Sequence, residues 1–201
     1  MAIAATKDTV FNRALVFLTQ DRITSSTDEK HTARLLSAIY DETVDYMLEQ
    51  HPWSFAKDTT ELADAGATSD ADGWTYKYAL PVDFLNLVTI NNTDPEDRLD
   101  QYYEIMGQEL FCEESQVFLK YIRREDIVGR WTAKFMNAVA YALARDASAT
   151  LAEGAARFEE LNVKAEQALA EAKASDGKRQ NRAPMSRRNT PTARARRQPW
   201  T

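Results

Sequence analysis

"WTYKYALPVDFLNLVTI", residues 74–90, decides how the chain is read. Trp74, Tyr76 and Tyr78 alternate with Thr75 and Lys77, and a period of two is the mark of a half-buried strand. The second run, "FLNLVTI", is again rich in the aromatic and β-branched residues that favour a pleated surface. Further short runs follow: "YYEIMG", "QELFC" and "QVFLKYI", the last ending at Ile122. Gly107 can supply the turn between Tyr102–Met106 and Glu109–Cys112, and Glu113 to Ser115 separates that run from residues 116–122. Three antiparallel strands in a meander are the simplest expectation for 102–122. Ahead of Trp74, "ADAGATSDADG" (63–73) is small, polar and glycine-bearing, and reads as a loop.

Outward from this centre the period changes to that of a helix. Toward the N-terminus, Val10, Phe11, Ala14, Leu15 and Leu18 have helical spacing within 7–20. Leu36, Ile39, Tyr40, Thr43, Val44 and Met47 form the stripe of a second helix expected over 27–50. Ser26 and Glu29 have capping-box spacing at its start. Asp28 and Glu29 fall where a helix dipole favours anions, and Pro52 marks the stop. Toward the C-terminus, Trp131, Phe135, Val139, Ala142 and Leu143 form one stripe. Alanines across 131–152 ease helix formation and close helix approach. Phe158, Leu161, Ala165, Ala168 and Ala172 carry helix on to about 175, with Gly154 at the junction and Asp176-Gly177 as the expected end. The fold class is therefore α+β: a helical bundle (1–56 and 126–176) with an inserted antiparallel β-domain (57–125) and an extended basic tail (177–201).

Charge is divided along the chain. The protein has 25 basic and 31 acidic residues, a formal net charge of −6. Residues 177–201, "GKRQNRAPMSRRNTPTARARRQPWT", hold eight of the basic residues and no acidic one, leaving 17 against 31 and a body of about −14. Such a division points to an interaction tail on an acidic body. The tail has no apolar periodicity and three prolines, so it is expected to be extended or irregular when free.

Motifs of chemistry are scarce. His31 and His51 each lack a partner at metal-ligand spacing, and no phosphate-binding glycine loop or nucleophile elbow occurs. The acid pairs Asp41-Glu42, Glu113-Glu114 and Glu159-Glu160 read as solvated charge. No metal, cofactor or enzymatic activity is expected. The single cysteine, Cys112, lies in an apolar run and reads as a small buried hydrophobe. With no signal-peptide pattern at the N-terminus and no run of about 18 apolar residues, the expected setting is a reducing, aqueous one. Most of the aromatics between Trp53 and Tyr121 are expected in the core, some at a subunit interface.

Several motifs then line up in order: "ALVFLTQDRITSSTDE" before a long helix, "EQHPWSFA" (49–56), "WTYKYALPVDFLNLVTI" (74–90), "YEIMGQELFCEESQVFLKYI" (103–122) and "WTAKFMNAVAYALARDASATLA" (131–152). In this the chain resembles the tail tubular protein A family, the head-to-tail adaptors of T7-type short-tailed phages, over about residues 8–172. Where that family often carries a Gly-Glu-Pro-type turn near its start, this chain has "QDRITSS". The resemblance implies a structural virion protein assembled in the host cytoplasm. It also implies a homo-oligomeric ring of twelve copies below the portal protein, joining it to the tail nozzle or tail tube and lining the channel for DNA. In such adaptors the C-terminal segment reaches along the portal. The portal-binding candidates here are Arg179, Arg182, Arg187, Arg188, Arg194, Arg196 and Arg197, whose planar forks suit carboxylates, with Trp200 as an apolar end anchor. The alternative from the residues alone is a nucleic-acid-binding protein whose tail grips phosphates. The acidic body opposes that reading.

Overall fold

The structure, a computed structural model, describes residues 5–67, 73–91, 103–151 and 155–180. Two helices come first, α1 (Lys7–Phe17) and α2 (His31–Glu49). Seven strands follow: β1 (Lys57–Glu61), β2 (Asp64–Ala67), β3 (Tyr76–Ala79), β4 (Phe84–Asn91), β5 (Tyr103–Met106), β6 (Glu109–Cys112) and β7 (Phe118–Arg123). A 3-10 turn at Val128–Arg130 leads into α3 (Ala133–Thr150) and α4 (Ala155–Arg179). The α+β class and the placing of strands between two pairs of helices are as expected.

α3 is the hub of the bundle, packing against α1, α2 and α4. Its buried positions, Phe135, Ala138, Val139, Ala140, Ala142, Leu143, Ala144 and Ala147, run most of the way round the helix. Alanine on several faces lets three neighbours approach one axis closely. Thr132 caps it, its Oγ1 accepting from the Phe135 N–H at 3.1 Å. α1 closes in a Schellman arrangement. Thr19 N–H donates to Val16 O at 3.1 Å and Gln20 N–H to Leu15 O at 2.9 Å. Thr19 takes the left-handed φ of +54° that glycine more often supplies.

The entry to α2 differs from expectation. The helix starts at His31, not Thr27, and the capping box of Ser26 and Glu29 does not form. Asp28 Oδ2 instead accepts from the Thr24 and Ser25 N–H groups at 2.9 and 3.4 Å, and the Ser26 N–H is taken by Asp8 Oδ1 at 2.6 Å. Asn12 exchanges two hydrogen bonds with the Ile23 backbone, at 3.0 and 2.9 Å. Those loop N–H groups are satisfied across the α1–α2 corner, which leaves the segment no need of helical geometry before Lys30.

The strands form two antiparallel sheets, ordered β1-β7-β4 and β2-β3-β6-β5. The β5–β6 hairpin turns through Gly107 at φ +63°, as expected. The meander does not continue: β7 leaves β6 and joins the other sheet between β1 and β4. The reason is its burial on both faces. Leu119 and Tyr121 enter a cluster between the sheets with Leu62, Tyr78, Leu80, Ile90, Leu110 and Cys112. Ile122, of opposite parity, enters the bundle core. β4 reaches both cores by another route. Its pairing with β7 slips at Phe84/Asn86 and Leu87/Thr89, making Leu85 and Val88 the extra residues. Those two pack on the bundle, while Phe84, Leu87 and Ile90 pack between the sheets.

β1 and β2 were not expected from sequence, and β2 lies within the stretch read as a loop. "KDTTE" and "DAGA" carry little strand propensity. β1 is an edge strand, mostly exposed. β2 is held by pairing Asp64 with Tyr78 and Ala67 with Tyr76, with Gly66 at φ +99° in the irregular step between them. Tertiary pairing overrides weak propensity here.

Candidate functional site

The basic tail follows the end of α4, and the last turn of that helix takes part in a cluster of polar contacts with the turn after α2. α2 stops at Glu49, and "HPWSFA" (51–56) then makes a tight turn. Ala56 and Lys57 N–H both donate to Trp53 O at 3.1 Å. The Trp53 side chain is fully buried. Its Nε1–H donates to Met47 O at 2.9 Å, tying the turn to the last turns of α2. The ring lies edge-on to Phe135 at 4.8 Å, and Phe55 and Trp131 surround the same Phe135 at 5.0 and 5.1 Å. This aromatic knot fixes the turn against the start of α3.

The exposed rim of the turn grips α4. Asp176 is 1% exposed. Its carboxylate accepts from the Ser54 N–H at 3.0 Å, Ser54 Oγ–H at 2.5 Å and Gln180 Nε2–H at 2.5 Å. Gln180 also donates to Pro52 O at 2.8 Å, and Lys57 Nζ donates to Gln180 Oε1. The helix therefore runs through Gly177 to Arg179, past its expected end at Asp176-Gly177. Glycine costs about 1 kcal/mol against alanine inside a helix. The hydrogen bonds to a buried carboxylate, among the stronger kind, outweigh that. Arg179, placed in the extended tail from sequence, is corrected to the exposed last turn of α4. Arg182, Arg187, Arg188, Arg194, Arg196, Arg197 and Trp200 lie outside the described residues, as does Gly154.

His51 also belongs to this clasp. Sequence gave it no partner, because its neighbour is 125 positions away. Nε2 sits 3.3 Å from Asp176 Oδ2, close enough for a charge-dependent pairing. Burial pushes the imidazole below its ordinary 6.5, against the opposing pull of Asp176. Burial would raise Asp176, but the Ser54 and Gln180 hydrogen bonds prevail and hold it below 3.8. The unfolded chain thus takes up a proton on His51 near pH 6.5 that the folded chain refuses. The His51 contribution to stability is complete above about 6.5 and is lost as pH falls through its lower folded value. The Asp176 contribution is present above 3.8 and is lost only below it. Asp45 acts oppositely, since burial raises its carboxyl despite the Arg124 fork at 2.9 and 2.6 Å. Urea unfolding from pH 7.5 to 4.5 should show stability falling with pH, and His51→Asn should flatten that slope.

Other polar clusters lie away from this clasp. Glu125, 2% exposed, accepts from Arg123 at 2.6 Å, Arg130 at 3.2 Å and the Ile127 N–H at 3.1 Å. Together these bonds fix the crossing from β7 to α3. Lys7 Nζ lies 4.2 Å from the Tyr40 ring centroid. Both line an open cleft of about 450 Å³ with Asp41, Arg124, Asp126 and Ile127. Cys112 is fully buried in the cluster between the sheets, and burial raises its thiol. His31 is exposed at the start of α2. The acids Asp41, Glu42, Glu113, Glu159 and Glu160 are exposed. Among the described residues no group of His, Cys and acidic side chains is placed to hold a metal ion, and no helix is long and apolar enough to cross a membrane. The chain matches no protein-family model and no curated protein sequence.

Proposed function

We propose that this chain is a structural ring subunit, a head-to-tail adaptor that joins a phage portal to the tail nozzle or tail tube around a DNA channel. In this reading the Arg-rich C-terminal segment docks on the portal. The observation that carries it is the clasp. "HPWSFA", one of the motifs by which the chain resembles the adaptor family, holds the root of that segment through Asp176 and Gln180. A docking arm needs such a root, because a fixed origin limits the volume its arginines must search. Repetition around a ring of twelve copies turns modest affinity per arm into strong avidity.

Exposed apolar side chains supply candidates for contacts between neighbouring subunits. Val82 stands fully free at the tip of the Pro81–Asp83 turn, Ile127 is half exposed at the cleft of Lys7 and Tyr40, and Val16 and Val163 are half exposed on the helices. An acidic body suits a channel through which DNA must slide, since carboxylates do not hold phosphates.

The test is to mix the full-length protein with its purified cognate portal and measure mass and negative-stain images. A second chain would carry serine in place of Arg182, Arg187, Arg188, Arg194, Arg196 and Arg197. A ring stacked on the portal with the native chain, lost or weakened in the serine chain, is expected. No association with either chain would reject the adaptor reading. The six arginines of 181–201, with no acid among them, favour one second reading, a tail that grips nucleic-acid phosphates. That reading requires binding to short duplex DNA with a logarithmic salt slope of about −0.9 per neutralised phosphate.

A further inference from the structure

α2 presents a face that the bundle leaves uncovered. Glu42, Tyr46 and Glu49 follow at helical spacing and are exposed, Tyr46 by 53%. Beside Tyr46 lies a groove of about 330 Å³ between α2 and α3, lined by Ile39, Glu42, Thr43, Tyr46, Arg145 and Asp146. The groove's own cation is engaged: Arg145 Nε donates to Asp146 Oδ1 at 2.7 Å. Asp45 is taken by Arg124. Glu42 and Glu49 form no ion pair among the described residues. They also stand in the C-terminal half of a helix whose last turn holds no basic residue. The helix dipole disfavours anions there, so the arrangement is electrostatically incomplete.

We infer that this groove is the resting site of the chain's own basic segment, residues 181–201. Three observations converge on that occupant. Position is the first. The segment departs from Gln180, which is bonded to Pro52 O, three residues beyond the end of α2. The second is length. α2 spans roughly 28 Å at about 1.5 Å per residue, while 21 residues of extended chain reach up to about 70 Å. Arg187 and Arg188 come into range of Glu49 and Glu42 without straining the root. The third is charge. The segment has six arginines and no acid, whereas residues 1–180 have 19 basic and 31 acidic residues, a net −12. Arginine pairs with the two carboxylates bidentately, and its guanidinium stacks on the exposed Tyr46 ring. Tethering through so short a linker gives an effective concentration in the millimolar range, so weak contacts suffice to fill the site. A partner that recruits the segment must first displace it, and the free subunit thereby keeps its arginines from scattered anionic surfaces. This inference concerns the free chain and does not depend on the portal.

The experiment places a nitroxide on the full chain through Thr192→Cys, with the native chain as labelling control because Cys112 is fully buried. Amide signals around Ile39, Glu42, Tyr46 and Arg145 are expected to broaden several-fold. They should recover near 1 M salt, where the Debye length is about 3 Å. Glu42→Gln with Glu49→Gln, both exposed, should reduce the broadening without altering the far-ultraviolet circular dichroism. Broadening spread evenly over the acidic surface, or absent from these residues, overturns the proposal. So does broadening that appears in an isotope-labelled native chain mixed with spin-labelled unlabelled chains, since the occupant would then be a second copy.

Discussion

Trp53→Ala is expected to lower the unfolding free energy by about 3–5 kcal/mol, the cost of removing a large aromatic from a closed core. Trp53 is fully buried and contacts His51, Phe55 and Phe135 at centroid distances of 4.8, 5.9 and 4.8 Å. It joins the end of α2 to the start of α3, so the cavity would open where the surrounding helices are least free to collapse. The indole also satisfies Met47 O at 2.9 Å. Trp53→Phe separates the two contributions. It keeps much of the ring packing and leaves the carbonyl unpaired, for which about 1–3 kcal/mol is expected. Urea titrations followed by circular dichroism, at unchanged slope, measure both. A loss under about 1 kcal/mol in the alanine variant would mean that the aromatic knot does not fix the turn.

Asp176→Ala is expected to cost about 2–4 kcal/mol, because it removes the charged acceptor of the Ser54 N–H and hydroxyl and one of the two acceptors of the Gln180 amide, and a hydrogen bond to a charged group contributes about 1.5–3 kcal/mol. The penalty stays below the sum because Ser54 Oγ and Gln180 can turn toward water. The effect should be local as well as global. Without its carboxylate the last turn of α4 is tied to the turn after α2 only through the Gln180 bonds to Pro52 O and Lys57, against the glycine penalty at Gly177. Backbone exchange should therefore accelerate from Ala172 to Gln180 and at Ser54, more than at Phe135 or Leu143. Asp176→Asn retains one acceptor oxygen and should lose less. If Asp176→Ala left both stability and exchange at the α4 end unchanged, the tail would have no fixed root and the docking-arm argument would lose its basis. That outcome would leave the portal-mixing result to be read by itself.

The stripes of α1, α3 and α4, the β5–β6 hairpin at Gly107 and the burial of Cys112 were legible in the sequence, because period, turn glycine and hydrophobicity are local properties. The start of α2 was misplaced by four residues for a local reason with a distant cause. Ser26 has the spacing of a helix cap and Asp28 the look of a first-turn acid, but Asp8 takes the Ser26 N–H and the loop N–H groups take Asp28. The clasp was half visible. "HPWSFA" stood out as a motif, and Asp176 stood out as a helix end, yet nothing in either segment says that they meet.

The sequence by itself determined the class of the four helices and of β3 to β7, and the division of charge between an acidic body and a basic end. Both follow from composition and periodicity along the chain. Only the tertiary structure decided the sheet membership of β7, the existence of β1 and β2, and the extension of α4 through Gly177. It alone brought His51, Ser54, Asp176 and Gln180 together. Each of those outcomes depends on a partner far away in sequence: β4 and β1 for β7, β3 for β2, the Ser54 turn for α4. A strand of weak propensity or a helix containing glycine is stable only when a distant neighbour satisfies its backbone or buries its face, and no local pattern records where that neighbour will be.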